Sequence, residues 1–147
     1  MLCSRWANAV VIIVVAVVAA VVLPNLAAAD TRAQEMAAIL NVRSINTAQV
    51  QYYTEFDRYA KSLAELGPPA AGKEGRASAG LIPADLASGT KGGYTFTLRG
   101  SSTGYTVNAN PVKYVSTGSR TFFSDESMVI RANSGPEPAT AASGEVK

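Results

Sequence analysis

The chain begins with a long run of apolar positions, and no charged residue lies between Arg5 and Asp30. Residues 9–23 contain no polar side chain and are mostly Val and Ile. A helix needs about 20 such residues to cross a bilayer, where the backbone must satisfy its own hydrogen bonds. The pattern therefore predicts a transmembrane helix half over residues 1–29, which Pro24 bends or loosens.

The charges at the two ends of this run predict its orientation. Arg5 and the amino terminus precede the run, and Asp30 is the first charge after it. By the positive-inside rule, the N-terminus is expected in the cytoplasm and the rest of the chain outside. A removed signal peptide remains an alternative, because the small residues 27–29 fit a cleavage site before Asp30.

An amphipathic pattern follows the apolar run and continues the same helix. Residues 31–56 contain neither Gly nor Pro, and apolar residues from Val42 to Phe56 recur at steps of three or four. We expect one helix from about Arg5 to about Phe56. A second patch at Met36, Ile39 and Leu40 is offset from this stripe, and either the domain's own core or a partner helix could cover it.

The remainder of the chain predicts a small antiparallel sheet. Residues 66–80 form a Gly/Pro/Ala-rich loop, and signals for three to four short strands follow, with Tyr94, Phe96 and Leu98 alternating on one face of the first. Such a sheet needs a cover on its apolar face, and the amphipathic half of the helix supplies it. The predicted packing residues are Val42, Ile45, Tyr52, Phe56, Tyr94, Phe96, Val107, Phe122 and Val129.

The predicted fold class is α+β, with a long N-terminal helix packed on a C-terminal sheet of three to four strands. Residues 1–29 form the apolar helix half, and residues 30–133 form the globular domain. Residues 134–147 carry no packing residues and are expected to be a flexible tail.

Composition argues against catalysis and against nucleic-acid binding. Thirteen Lys and Arg face eleven Asp and Glu, and the basic residues are scattered singly. The chain has no His, which removes the commonest general base and metal ligand. Adjacent Asp125 and Glu126 fit a turn, with a weak calcium contact as the alternative. We expect no enzyme activity, no metal and no cofactor.

Several segments, in order, resemble the type IV pilins and the type II secretion pseudopilins. The similar segments are "LPNLAAADTRAQEMAAILNVRSINTAQVQYYTEFDRYAKSLAELG", "GLIPADLASGTKGGYTFTL", "YTVNANPV" and "RTFFSDESMVIR". The resemblance implies a structural subunit of a filament that serves adhesion, motility or secretion. It implies helix-core assembly through Val10, Val14, Val17, Val21 and Pro24.

The same resemblance implies a set of partners and a location. The partners would be copies of the chain or other pilins, an inner-membrane assembly platform, a prepilin peptidase and, before assembly, the lipid bilayer. The implied location is a single pass through the inner membrane, followed by a filament at the bacterial cell surface.

The N-terminus departs from the family pattern. Aligning on Pro24 puts processing between Leu2 and Cys3, after which the family's N-terminal residue is methylated. The family has Gly before the cleavage point and Glu at the position of Ala7, and neither is present. A second function therefore stays open, namely a membrane-anchored or signal-peptide-secreted extracytoplasmic binding domain that does not polymerise.

Overall fold

The structure is a computed structural model, which describes the backbone of residues 2–147 and the side chains of residue 13 and residues 26–147. One long helix is followed by two short helices and by a sheet whose strands lie in sequence order, each antiparallel to the next. The helices are α1 (Leu2–Phe56), α2 (Leu63–Leu66) and α3 (Ala84–Ala87). The strands are β1 (Thr90–Lys91), β2 (Tyr94–Gly100), β3 (Tyr105–Pro111), β4 (Arg120–Asp125), β5 (Arg131–Ser134) and β6 (Gly144–Glu145).

Helix α1 ends at Phe56 because the next residue leaves the helical conformation. Asp57 has a φ of 55°, and its N–H donates a hydrogen bond to the Tyr53 carbonyl oxygen at 2.8 Å. Asp tolerates this left-handed conformation better than most side chains do. The chain can therefore turn sharply back towards the sheet, which begins beyond α2 and α3.

The prediction of three to four strands is wrong, because the sheet has six. The two additional strands are two-residue edge strands, β1 and β6. Backbone pairing forms them, with Thr90 opposite Thr95 and Gly144 opposite Ala132. Such short edges protect a sheet from further pairing and need no alternation of apolar residues, so the hydrophobic pattern did not reveal them.

The predictions of a transmembrane helix half and of a single-pass inner-membrane location are contradicted. Within the part of the chain that the structure describes, no helix is both long enough and apolar enough to span a bilayer. The described side chains of α1 include Asp30, Arg32 and Glu35, followed by Arg43. These charges interrupt the apolar positions of the helix at short intervals.

The core lies between the C-terminal half of α1 and one face of the sheet. Seven of the nine predicted packing residues lie in it, namely Val42, Ile45, Tyr52, Tyr94, Phe96, Val107 and Phe122. Phe56 is partly buried against this core, whereas Val129 is half-buried and lies outside it. Its neighbour Ile130 enters the core instead, since Met128, at a φ of 63°, ends the turn that precedes these residues.

The segment of residues 134–147 makes ordered contacts where a flexible tail was predicted. Thr121 donates a hydrogen bond through Oγ1 to the Glu137 carbonyl oxygen at 2.7 Å. Asn108 donates through Nδ2 to the Ala139 carbonyl oxygen at 3.0 Å, and Ala139 itself is buried. Thr121 and Asn108 point away from α1, so this C-terminal segment covers the second face of the sheet.

Candidate assembly interface

Helix α1 is bare immediately before it reaches the sheet. Residues 26–30 are all exposed, and five consecutive residues cover more than one full helical turn. The domain therefore leaves every side of the helix at least partly open at this level. The bare segment, residues 26–30, is also largely apolar, since it consists of Leu26, three Ala and Asp30.

An apolar stripe continues from the bare segment along the side of α1 that faces away from the sheet. Leu26, Met36 and Leu40 are 55%, 65% and 56% exposed. With Ala29 and Ala33 they recur at steps of three or four, so they share one helix face. We call these five residues the apolar stripe. The predicted patch is thus divided, because Ile39 is buried in the core while Met36 and Leu40 remain outside.

A buried carboxylate joins α1 to the start of β4. Glu35 Oε1 accepts hydrogen bonds from the backbone N–H and the hydroxyl of Ser119, both at 2.9 Å. Its Oε2 accepts from Arg120 Nε at 2.9 Å. Burial by itself raises the pKa of the Glu35 carboxyl, but the bonds from Ser119 and Arg120 outweigh burial and hold that pKa below its usual value.

Glu35 was not singled out by the sequence analysis. A signal for its burial was present, because Glu35 lies two helical turns before Val42 and so falls on the core-facing side of α1. A charged residue on an apolar helix face needs a partner when it is buried. The partner could not be identified from the sequence, since Ser119 and Arg120 are more than eighty residues away.

We expect Glu35→Gln to lower the free energy of unfolding at pH 7 by about 1–2 kcal/mol, since a charged acceptor of several hydrogen bonds is lost. The folded-state pKa is depressed, so this contribution is complete above the unfolded pKa near 4.5 and is lost as pH falls through the folded pKa. Urea titrations at a series of pH values should show wild type and variant converging below pH 4.5. A constant difference at all these pH values would contradict the role of the ionised carboxylate.

The loop between β3 and β4 lies beside the bare segment. Val115, Ala27 and Ala28 line one open cleft, together with Ser116 and Ser119. The Val115 N–H donates to the Gly118 carbonyl oxygen at 2.7 Å, which closes residues 113–118 into a tight loop. Tyr114 and Val115 are nevertheless 44% and 65% exposed. Apolar side chains of the loop and of α1 are therefore presented at the same end of the domain.

A buried polar network sets the position of α1 along the sheet. Asn46 Nδ2 donates to Ser124 Oγ at 2.8 Å, and the Tyr105 hydroxyl donates to Asn46 Oδ1 at 3.0 Å. Further along, Gln49 bonds both the N–H and the carbonyl oxygen of Ala60. Buried polar groups require such partners, so sliding α1 along the sheet would leave these groups unpaired.

The residues predicted for processing and for helix-core assembly have side chains outside the described ones. They are Leu2, Cys3, Val10, Val14, Val17, Val21 and Pro24.

Asp125 stabilises a turn, since its Oδ1 accepts a hydrogen bond from the Ser127 N–H at 3.0 Å and its carbonyl oxygen accepts one from the Met128 N–H at 2.9 Å. Among the described residues, no group of three or more His, Cys, Asp or Glu side chains is arranged to hold a metal ion.

Comparison with known proteins adds no relative, since no protein-family model and no curated protein matches the chain.

Proposed function

We propose that the chain is a structural subunit of a filament of the type IV pilin or pseudopilin kind, which assembles through α1. The observation that supports this proposal best is the bare segment of α1. Residues 26–30 expose Leu26 and three Ala around a full turn of a helix whose later part is firmly packed on a sheet. A helix with apolar side chains on every side is normally buried against other elements.

The apolar stripe suits packing against a second helix. Full burial of side chains such as Leu26, Met36 and Leu40 contributes about 1.5–3 kcal/mol each, before the entropy of association is subtracted. Ala29 and Ala33 lie between them and let helix axes approach to about 8–10 Å. Residues 9–23, which contain no polar side chain, extend this apolar character towards the N-terminus.

The contacts at the sheet make α1 a rigid connection between domain and filament core. Glu35 binds Ser119 and Arg120 near one end of the packed part, and Asn46 binds Ser124 and Tyr105 further along. A helix held at two levels cannot roll or slide freely against the sheet. The apolar stripe therefore faces a fixed direction relative to the sheet in every copy, as repeated identical contacts in a filament require.

The proposal predicts that Leu26→Asp prevents filament formation without unfolding the domain. Leu26 is exposed in the single chain, so the substitution removes no core contact, but it places a charge where the helices would pack. The experiment compares filaments recovered by sedimentation from cells that naturally produce the chain, with electron microscopy of the sediment. We expect at least a tenfold loss of filaments for the variant and an unchanged thermal midpoint for its domain.

Val50→Asp is the matched control, because Val50 is 45% exposed on α1 but lies away from the apolar stripe. We expect this variant to assemble. Normal filaments from Leu26→Asp would show that the stripe is not an assembly surface. A wild-type chain that never sediments as filaments would instead favour the binding-domain hypothesis.

A further inference from the structure

Two surfaces of opposite charge flank strand β4, one before its first residue and one after its last, at opposite ends of the domain. Glu35 contacts Arg120 at the start of β4, and Asn46 contacts Ser124 near its end, so β4 and α1 run in the same direction. The β3–β4 loop therefore lies at the end where the bare segment emerges. The β4–β5 turn, residues 125–128, lies at the far end.

The loop before β4 carries a basic and apolar surface, and we call residues 113–118 the basic loop. Lys113 is exposed and adjoins Tyr114 and Val115. Val115 has a φ of 71°, which is unfavourable for a β-branched side chain, yet it is among the most exposed apolar residues described. Strain of this kind persists where the surroundings hold it in place and often accompanies a binding role.

The turn after β4 carries an acidic and apolar surface, and we call residues 125–128 the acidic turn. Glu126 is exposed, and Met128 is 48% exposed with a φ of 63°. Asp125 is engaged by Ser127 within the turn, which leaves Glu126 as the outward charge. Among the described side chains, the ion pairs involve neither Lys113 nor Glu126.

The charges around each surface preserve this contrast. Asp30, Arg32 and Glu35 line the cleft beside the basic loop. Asp30 and Arg32 offset each other, and Glu35 is paired with Arg120, so Lys113 leaves an excess of positive charge there. Arg99 lines the groove beside Glu126, but Asp125 and Glu126 together exceed it. Each surface thus has an exposed apolar side chain beside an excess charge, which is positive at the basic loop and negative at the acidic turn.

We propose that the basic loop of one copy of this chain docks on the acidic turn of the next copy, with Lys113 facing Glu126. The inference rests on the proposed filament and names one of its subunit contacts. Two different surfaces on opposite ends of one molecule make a head-to-tail contact, which propagates into an open filament unless its rotation closes a ring. Neighbouring copies would be related by a screw rotation about an axis on the stripe side of α1. This rotation keeps their α1 helices side by side and brings the start of β4 in one copy to the end of β4 in the next.

The test reverses each charge in the full-length chain and measures filaments by sedimentation and electron microscopy. We expect Lys113→Glu alone and Glu126→Lys alone each to reduce filament mass at least tenfold, because like charges then face each other in every contact. Co-expression of the two variants should restore filaments, since each contact between unlike copies regains opposite charges. The double variant in one chain should also assemble.

Lys73→Glu is the control for net charge, because Lys73 is an exposed lysine in the loop between α2 and α3, and it should assemble normally. If wild-type filaments form and both single variants also assemble, the head-to-tail contact is wrong while the filament proposal stands. If the singles fail and neither the mixture nor the double variant recovers, the Lys113–Glu126 pairing is likewise overturned. If the wild type forms no filaments at all, both proposals fail together.

Discussion

Replacing Phe122 by alanine is expected to lower the free energy of unfolding by about 3–5 kcal/mol, as for other large buried aromatic side chains. Phe122 is fully buried in β4 and faces α1. Its ring centroid lies 5.8 Å from that of Tyr94, and the Arg120 guanidinium carbon lies 5.4 Å from its centre. The opposing residues on β3 and β5 are Ala109 and Ala132, which are too small to fill the resulting cavity.

Urea unfolding followed by circular dichroism measures this effect, with Val112→Ala as the control. Val112 is 51% exposed in the same domain, so its truncation should change stability by less than about 0.5 kcal/mol. A change below 1 kcal/mol for Phe122→Ala would mean that β4 is not held against α1. Since β4 carries both proposed docking surfaces at its ends, such a result would also remove the geometric basis of the head-to-tail contact.

The core could be predicted from the sequence because its signals are periodic. The stripe from Val42 to Tyr52 follows the helical repeat, and Tyr94, Phe96 and Val107 alternate along strands. Each pattern identifies the residues on one face of a helix or strand, and it does so without knowledge of which element packs against that face. The end of α1 at Phe56 was similarly visible, because a change in the pattern of residues follows it.

The sheet edges and the short helix α2 could not be predicted in this way. Two-residue strands such as β1 and β6 depend on backbone hydrogen bonds that any sequence can make. Helix α2 has only four residues, with Leu63 and Leu66 buried, and is too short to show a repeat. A hydrophobic pattern indicates which residues are buried, whereas these short elements form wherever the fold brings backbone segments close enough to pair or turn.

The candidate interface was only partly predictable. The sequence identified Met36, Ile39 and Leu40 as a patch but could not show that Ile39 alone turns inward. The exposure of Val115 and its left-handed backbone depend on the closure of the basic loop by Gly118. The closing bond joins two backbone groups, so no residue type in the loop indicates it.

The C-terminal segment supplies the second prediction with a large expected effect. Ending the chain at Ser134 removes the cover from the sheet face that points away from α1. Thr121 is fully buried, and its hydroxyl would lose the Glu137 carbonyl oxygen as partner. Asn108 would lose the Ala139 carbonyl oxygen, and β6 would no longer pair with β5. At about 1 kcal/mol for each lost hydrogen bond, we expect a loss of about 2–4 kcal/mol.

The thermal midpoint and the urea midpoint of the truncated chain measure this loss, and Glu145→Ala is the matched control. That substitution removes only the ion pair from Glu145 to Arg131, a 3.5 Å contact in which the Glu145 side chain is 59% exposed. An exposed pair is worth less than about 1 kcal/mol, so the control should stay close to wild type. Equal stability of the truncated and intact chains would mean that residues 135–147 are loose, as their composition suggests. A clear loss in the truncated chain alone would show that a segment poor in apolar residues can act as a structural cover. It does so through the carbonyl oxygens of Glu137 and Ala139, together with the buried Ala139 side chain and the partly buried Val146.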